Sequence, residues 1–130
     1  MIKIVTALFI FSGTLLALEW AKDLNTALQT AKKEHKNIMV MVESEHCGWC
    51  KKMKKETLSQ TEVKDKLEKF IVVKVMREDS TTMAKLPSVY GVPTIFFLKE
   101  NKAMIEDVVG YFNAQDFISY IDDVEKKIKK

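Results

Sequence analysis

The chain has only two cysteines, two prolines and four glycines in 130 residues. Two cysteines cannot build the multi-disulfide framework of many small exported domains. They cannot complete a Cys₄ zinc site either. So little glycine and proline excludes collagen-like and low-complexity chains. An excess of one charge is also missing: 21 basic residues face 18 acidic ones, a formal net charge of +3. That balance argues against nucleic acid as a partner. No internal repeat and no linker-like stretch divides the sequence, and its length suits one small domain.

What is present is apolar content of 47%, enough for a core, and charged content of 30%, enough for a soluble surface. Some of the apolar content lies in the N-terminal segment. Met1-Ile2-Lys3 is a short positive region, and Ile4 to Leu16 is broken only by Thr6, Ser12, Gly13 and Thr14. Leu15-Leu16-Ala17 ends on a small residue, as signal peptidase requires. The run falls short of the roughly 20 residues of a membrane-spanning helix. We therefore expect a signal peptide at 1–17, a mature domain at 18–130, and a periplasmic or secreted location. An uncleaved anchor is the alternative. No cysteine at the cleavage site argues against a lipoprotein.

Along the chain, Trp20, Ala21, Leu24, Ala27, Leu28 and Ala31 trace one face of a helix ending near His35. Ile38 to Val42 is wholly apolar and reads as a buried central strand. Cys47 to Leu58 reads as a helix, and Ser59-Gln60-Thr61-Glu62 has capping-box spacing for another through Val63, Leu67 and Phe70. Ile71–Met76 and Thr94–Leu98 read as strands, with a helical turn at Met83–Leu86 between them that Pro87 stops. Glu100–Lys102 forms a turn into an antiparallel strand, Ile105–Tyr111. Asn113 caps a last helix with the stripe Phe117, Ile118, Ile121, Val124 and Ile128. The expected architecture is an α/β domain: a mixed sheet of about four strands with helices on both faces.

Both cysteines lie in Glu45-His46-Cys47-Gly48-Trp49-Cys50, at a strand-to-helix junction. A pair this close stabilises a chain little as a staple. It is better placed for thiol–disulfide exchange. A plain structural disulfide remains the alternative. A zinc site using His35 and His46 has poor geometry, because His46 adjoins Cys47. Haem attachment is excluded because Lys51, not histidine, follows Cys50. We expect no metal and no cofactor. The seven methionines are dispersed, as core filler would be.

Three stretches in order resemble the thioredoxin superfamily: Cys47-Gly48-Trp49-Cys50 after a buried strand, Tyr90-Gly91-Val92-Pro93-Thr94, and Gly110-Tyr111. The resemblance covers essentially all of residues 20–130. The likeness is to small exported thioredoxin-like proteins, including those of sulfur oxidation and the soluble reducing domain of a membrane electron transporter. It implies the thioredoxin fold and a cis peptide bond at Val92–Pro93, whose Val92 backbone would pair with an extended substrate. One departure stands out. The family carries a buried acid six residues before the first cysteine, and here that position is Met41. Glu43 is the nearest acid and the candidate proton acceptor for Cys50.

The resemblance makes Cys47 the attacking thiolate and Cys50 the residue that resolves the mixed disulfide. A helix N-terminus favours the anion of Cys47, and Gly48 leaves the sulfur approachable. Trp49 tunes the redox couple or contacts substrate. His46 either stabilises the thiolate when protonated or is a solvated loop residue. Lys51, Lys52, Lys54 and Lys55 form a solvated face or a docking surface for an acidic partner. The expected function is a monomeric exported reductase of protein disulfides, recharged by a membrane electron donor. The alternatives are an isomerase, an oxidant, or a non-catalytic binding or chaperone module of the same fold.

Overall fold

A computed structural model describes residues 17–130. Except for Ala17, the proposed signal peptide lies outside the described residues. Period-two alternation of apolar side chains in the central strands builds two core layers, one on each face of a sheet. Its strands are β1 (Trp20–Ala21), β2 (Asn37–Glu43), β3 (Phe70–Met76), β4 (Thr94–Leu98) and β5 (Met104–Val109). Their spatial order is β1-β3-β2-β4-β5. β3 runs parallel to β1 and β2, while β4 is antiparallel to β2 and β5.

Ile38, Val40 and Val42 of β2 share one layer with Val73, Val75, Phe96 and Leu98. Helix α1 (Leu24–Glu34) covers it with Leu24, Ala27 and Ala31. Met39 and Met41 face the opposite layer, with Val72, Ile95 and Phe97. Three helices cover that side: α2 (Gly48–Lys52), α3 (Thr61–Leu67) and α5 (Ala114–Ile128). Asn113 caps α5, accepting from the Asp116 N–H at 2.9 Å, and Phe117, Ile121 and Val124 are its buried stripe. This is the mixed α/β architecture expected, with five strands rather than about four.

The extra strand comes from the presumed start of α1. Trp20 and Ala21 pair with Val72 and Val73 at the sheet edge. The helix begins only after Asp23, whose carboxylate accepts from the Thr26 N–H at 2.7 Å. Both residues fit the helical stripe, so periodicity alone could not exclude them.

Further boundaries differ as well: α3 stops at Leu67, so that Phe70 opens β3, and β5 ends at Val109 rather than Tyr111. The helix from Cys47 is not uniform: α2 widens into a π-turn at Met53–Thr57. The Leu58 N–H donates to Met53 O at 3.0 Å, which puts Met53, Thr57 and Leu58 all on the buried side. Ser59 does not cap α3; its hydroxyl donates back to Lys55 O, and Gln60 takes the N-cap position. The short helix α4 is Ser80–Met83, one turn earlier than Pro87 suggested, because Asp79 caps it through the Thr82 N–H at 3.2 Å.

Candidate functional site

The strand β2 ends at Glu43, and a polar loop turns into α2 with Cys47 at its N-cap. Cys47 and Cys50 are joined as a disulfide with Cα atoms 5.2 Å apart. The Cys50 N–H points at Cys47 Sγ, at 3.1 Å. A donor in that position favours a thiolate on Cys47 over a thiol once the bond is reduced. The two cysteines differ slightly in exposure, both being buried: Cys47 is 8% exposed and Cys50 is 1% exposed.

Beside the cysteines, loops distant in sequence converge. The Val92–Pro93 peptide bond is cis. Gly110, at φ +97°, donates its N–H to Pro93 O at 2.8 Å and so fastens the end of β5 to this loop. Trp49, Val92, Pro93, Gly110 and Tyr111 line one groove of about 340 Å³. Gly48 is open: a Cβ built there would meet nothing within 4 Å. His46 lies exposed on the loop before Cys47.

Met41 is fully buried in the layer that holds the cysteines. Glu43, two residues on, belongs to the same side of β2 by strand alternation. Its side chain is 14% exposed, and Lys54 Nζ lies 3.1 Å from both carboxylate oxygens, donating to Oε1. Oε2 is buried and accepts no hydrogen bond among the described residues.

Of the four lysines after Cys50, Lys51, Lys52 and Lys55 are exposed, as on a solvated face, while Lys54 is half-buried. Lys54 pairs with Glu43. Lys52 places its ammonium 5.2 Å from the Trp49 ring centre and 4.7 Å from that of Tyr111. Sequence reasoning treated Tyr111 only as a landmark and passed over Glu56, which accepts from the Tyr111 hydroxyl at 3.0 Å. The spacing of Trp49, Lys52 and Glu56 was the available signal, since residues three and four apart share a helix face. Among the described residues, no three His, Cys, Asp or Glu side chains converge as a metal site would need.

A family model for the thioredoxin-like domain matches residues 24–125. Anterior gradient protein 3 of Mus musculus is 25% identical over 120 residues, covering 86% of this chain and 72% of that protein. Thiol:disulfide interchange protein DsbD of Neisseria meningitidis is 29% identical over 105 residues, which is 76% of this chain. The chain spans only 18% of that DsbD. The match has a structural counterpart in the oxidised C-terminal domain of N. meningitidis DsbD, with TM-score 0.63 and 28% identity over 76% of this chain and 90% of that one. A thioredoxin from Thermus thermophilus is similar at TM-score 0.71 and 25% identity, covering 84% of this chain and 88% of that one.

Proposed function

The chain belongs to the thioredoxin-like domain family, and on that premise we propose that it is an exported reductase of protein disulfides. Membership, the Cys47–Cys50 pair and oxidoreductase relatives make it a thiol–disulfide oxidoreductase. The observation that carries the mechanism is the Cys50 N–H aimed at Cys47 Sγ, with Cys47 the more exposed residue of the pair.

In the reduced enzyme the Cys47 thiolate attacks one sulfur of a substrate disulfide. The substrate S–S bond breaks, a mixed disulfide forms on Cys47, and the first substrate thiolate leaves and takes a proton. Cys50 then loses its proton and attacks Cys47 Sγ. The mixed disulfide breaks, the second substrate thiolate leaves, and the Cys47–Cys50 disulfide remains. Two electrons and two protons have passed to the substrate. A membrane-bound dithiol donor returns the enzyme to its starting state.

Glu43 is the proposed acceptor for the Cys50 proton. It stands on the cysteine side of β2, mostly buried, with one oxygen free of hydrogen bonds among the described residues. Val92 offers its backbone to an extended substrate strand, and Pro93 shapes that loop. Gly48 leaves the sulfur open, while Trp49 and His46 border it. The N-terminal apolar run supports export, with cleavage after Ala17 and residues 18–130 acting as a monomer. Among the described residues, no helix is long and apolar enough to cross a membrane.

The test is a redox titration of the Cys47/Cys50 couple against glutathione, with insulin reduction by wild type and Cys47→Ser. A low potential with turnover that depends on Cys47 is expected. A potential near about −120 mV, the range of a strong oxidant, would overturn the reductase direction.

A further inference from the structure

The central strands have two ends, and the cysteines occupy one of them. The other is formed by the starts of β2 and β3, where Asn37 pairs with Phe70, and by the hairpin between β4 and β5, where Leu98 pairs with Ile38 and Met104. Two helices finish at the same end. His35, which closes α1, lies 3.7 Å from Glu100 of the hairpin turn, and Lys69 Nζ lies 3.5 Å from Glu125 near the end of α5. Segments 32–36, 68–69, 99–102 and 125–130 therefore meet here, and they carry ten lysines against four glutamates. The chain as a whole is only +3, so the remainder is net negative. Lys69 and Lys127 are paired, with Glu125 and Glu106. Lys32, Lys33, Lys99, Lys102, Lys126 and Lys129 are exposed and form no ion pair among the described residues.

We propose that this basic end docks the protein on the surface of an anionic phospholipid bilayer. The proposal goes beyond the redox reading above and uses neither cysteine. Lysines spread over several segments present a broad field of point charges on flexible stems, which suits a plane of headgroups rather than one shaped ligand. The features that read nucleic acid lie elsewhere. The chain's one arginine, Arg77, follows β3 at the cysteine end, where its N–H donates to Glu43 O. The exposed aromatic rings that could stack on bases, Trp49 and Tyr90, are at that end too. Ile128 is exposed between Lys127 and Lys129, and an apolar side chain flanked by lysines suits the boundary between headgroups and acyl chains. The chain also enters the fold on this side. Ala17 and Leu18 line a groove with Lys36, Glu68 and Phe70, so the apolar run that precedes Ala17 joins the domain at its basic end. Docked this way, the cysteines stand roughly 20 Å from the lipid, the length of the seven-residue β2, and face the compartment.

The test is co-sedimentation of the full exported protein with vesicles of mixed phosphatidylglycerol and phosphatidylcholine, and with vesicles of phosphatidylcholine alone. Two double variants are compared with wild type. One carries Lys126→Gln and Lys129→Gln at the basic end; the other carries Lys51→Gln and Lys55→Gln on the helix of the cysteines. Both pairs are exposed, and equal urea midpoints show that binding rather than folding is compared. Wild type is expected to sediment with the anionic vesicles only. It should be released at about 1 M salt, where the screening length is about 3 Å. A lysine beside an anionic surface is worth about fivefold in affinity, so the basic-end pair should weaken binding by about 25-fold. The other pair lies about two screening lengths from the lipid at moderate salt and should change binding by less than about twofold. Equal binding to neutral vesicles, equal losses in the two variants, or no binding to vesicles overturns the proposal. Binding to a duplex oligonucleotide without binding to anionic vesicles also overturns it and gives the face to nucleic acid. The redox reading is scored separately, by insulin reduction, which is expected to be unchanged by Lys126→Gln with Lys129→Gln.

Discussion

Lys54 Nζ lies 3.1 Å from the Glu43 carboxylate and joins the end of the central strand to the helix that carries the cysteines. Both partners are largely shielded, with side-chain exposures of 32% and 14%. The pair places an acid on the cysteine side of β2 although Met41 occupies the family's usual acidic position.

Breaking this pair should have two separable effects. Lys54→Met strands a mostly buried carboxylate and is expected to cost about 1–2 kcal/mol in urea unfolding. Glu43→Gln keeps the shape but removes the acceptor. It is expected to slow the second exchange by about tenfold or more, so that mixed disulfide accumulates during turnover. Equal accumulation in wild type and Glu43→Gln, seen by acid quench, would remove Glu43 from the proton step.

The Gly110 position should not tolerate a side chain. Its φ of +97° is a backbone region that other residues seldom adopt, and its N–H holds the Pro93 carbonyl. Gly110→Ala is expected to lose about 1–3 kcal/mol of stability. Gly48→Ala is the control, because a Cβ there meets no atom within 4 Å. It should unfold within about 0.5 kcal/mol of wild type. Comparable losses at the two sites would contradict the backbone argument.

His35 closes α1 in the left-handed conformation, at φ 54°, with its N–H on Ala31 O. Glycine adopts that conformation without a Cβ clash. The exposed approach of His35 to Glu100, at 3.7 Å, is worth little. His35→Gly is therefore expected to stabilise the protein by about 0.5–1 kcal/mol, read as a higher urea midpoint at unchanged slope.

Two helix caps should lose their charge contribution in acid. Hydrogen bonds from the Thr26 backbone, then its side chain, hold the Asp23 carboxyl below the ordinary 3.8. The Thr82 side chain, then its backbone, does the same for Asp79. A carboxyl whose folded pKa is depressed stabilises the fold fully above its unfolded value. That contribution disappears as pH falls from 3.8 through the lower folded value. Asp23→Asn and Asp79→Asn keep a capping oxygen and lose the charge. Their deficit against wild type at pH 7 should shrink as pH falls below 3.8. A deficit independent of pH would show that the charge plays no part.

What the sequence determined by itself was whatever depends on local pattern. The wholly apolar Ile38–Val42 run, the stripe Phe117, Ile121 and Val124, the Asn113 cap and the cysteine pair at a strand end could all be read directly. The resemblance then supplied the order of the three loops around that pair. Tertiary structure decided what depends on partners distant in sequence. Trp20 and Ala21 are a strand only because Val72 and Val73 lie beside them. The helix after Cys50 widens where Thr57 reaches the Phe112 carbonyl. Within one lysine run Lys54 pairs with a carboxylate and Lys52 lies beside two aromatic rings while still exposed to solvent with Lys51 and Lys55. A local sequence fixes which side chains share a helix face or a strand face, but not what the opposing element presents to them. The groove walled by Trp49 and Tyr111 exists only once the fold brings residues 49, 92–93 and 110–111 together.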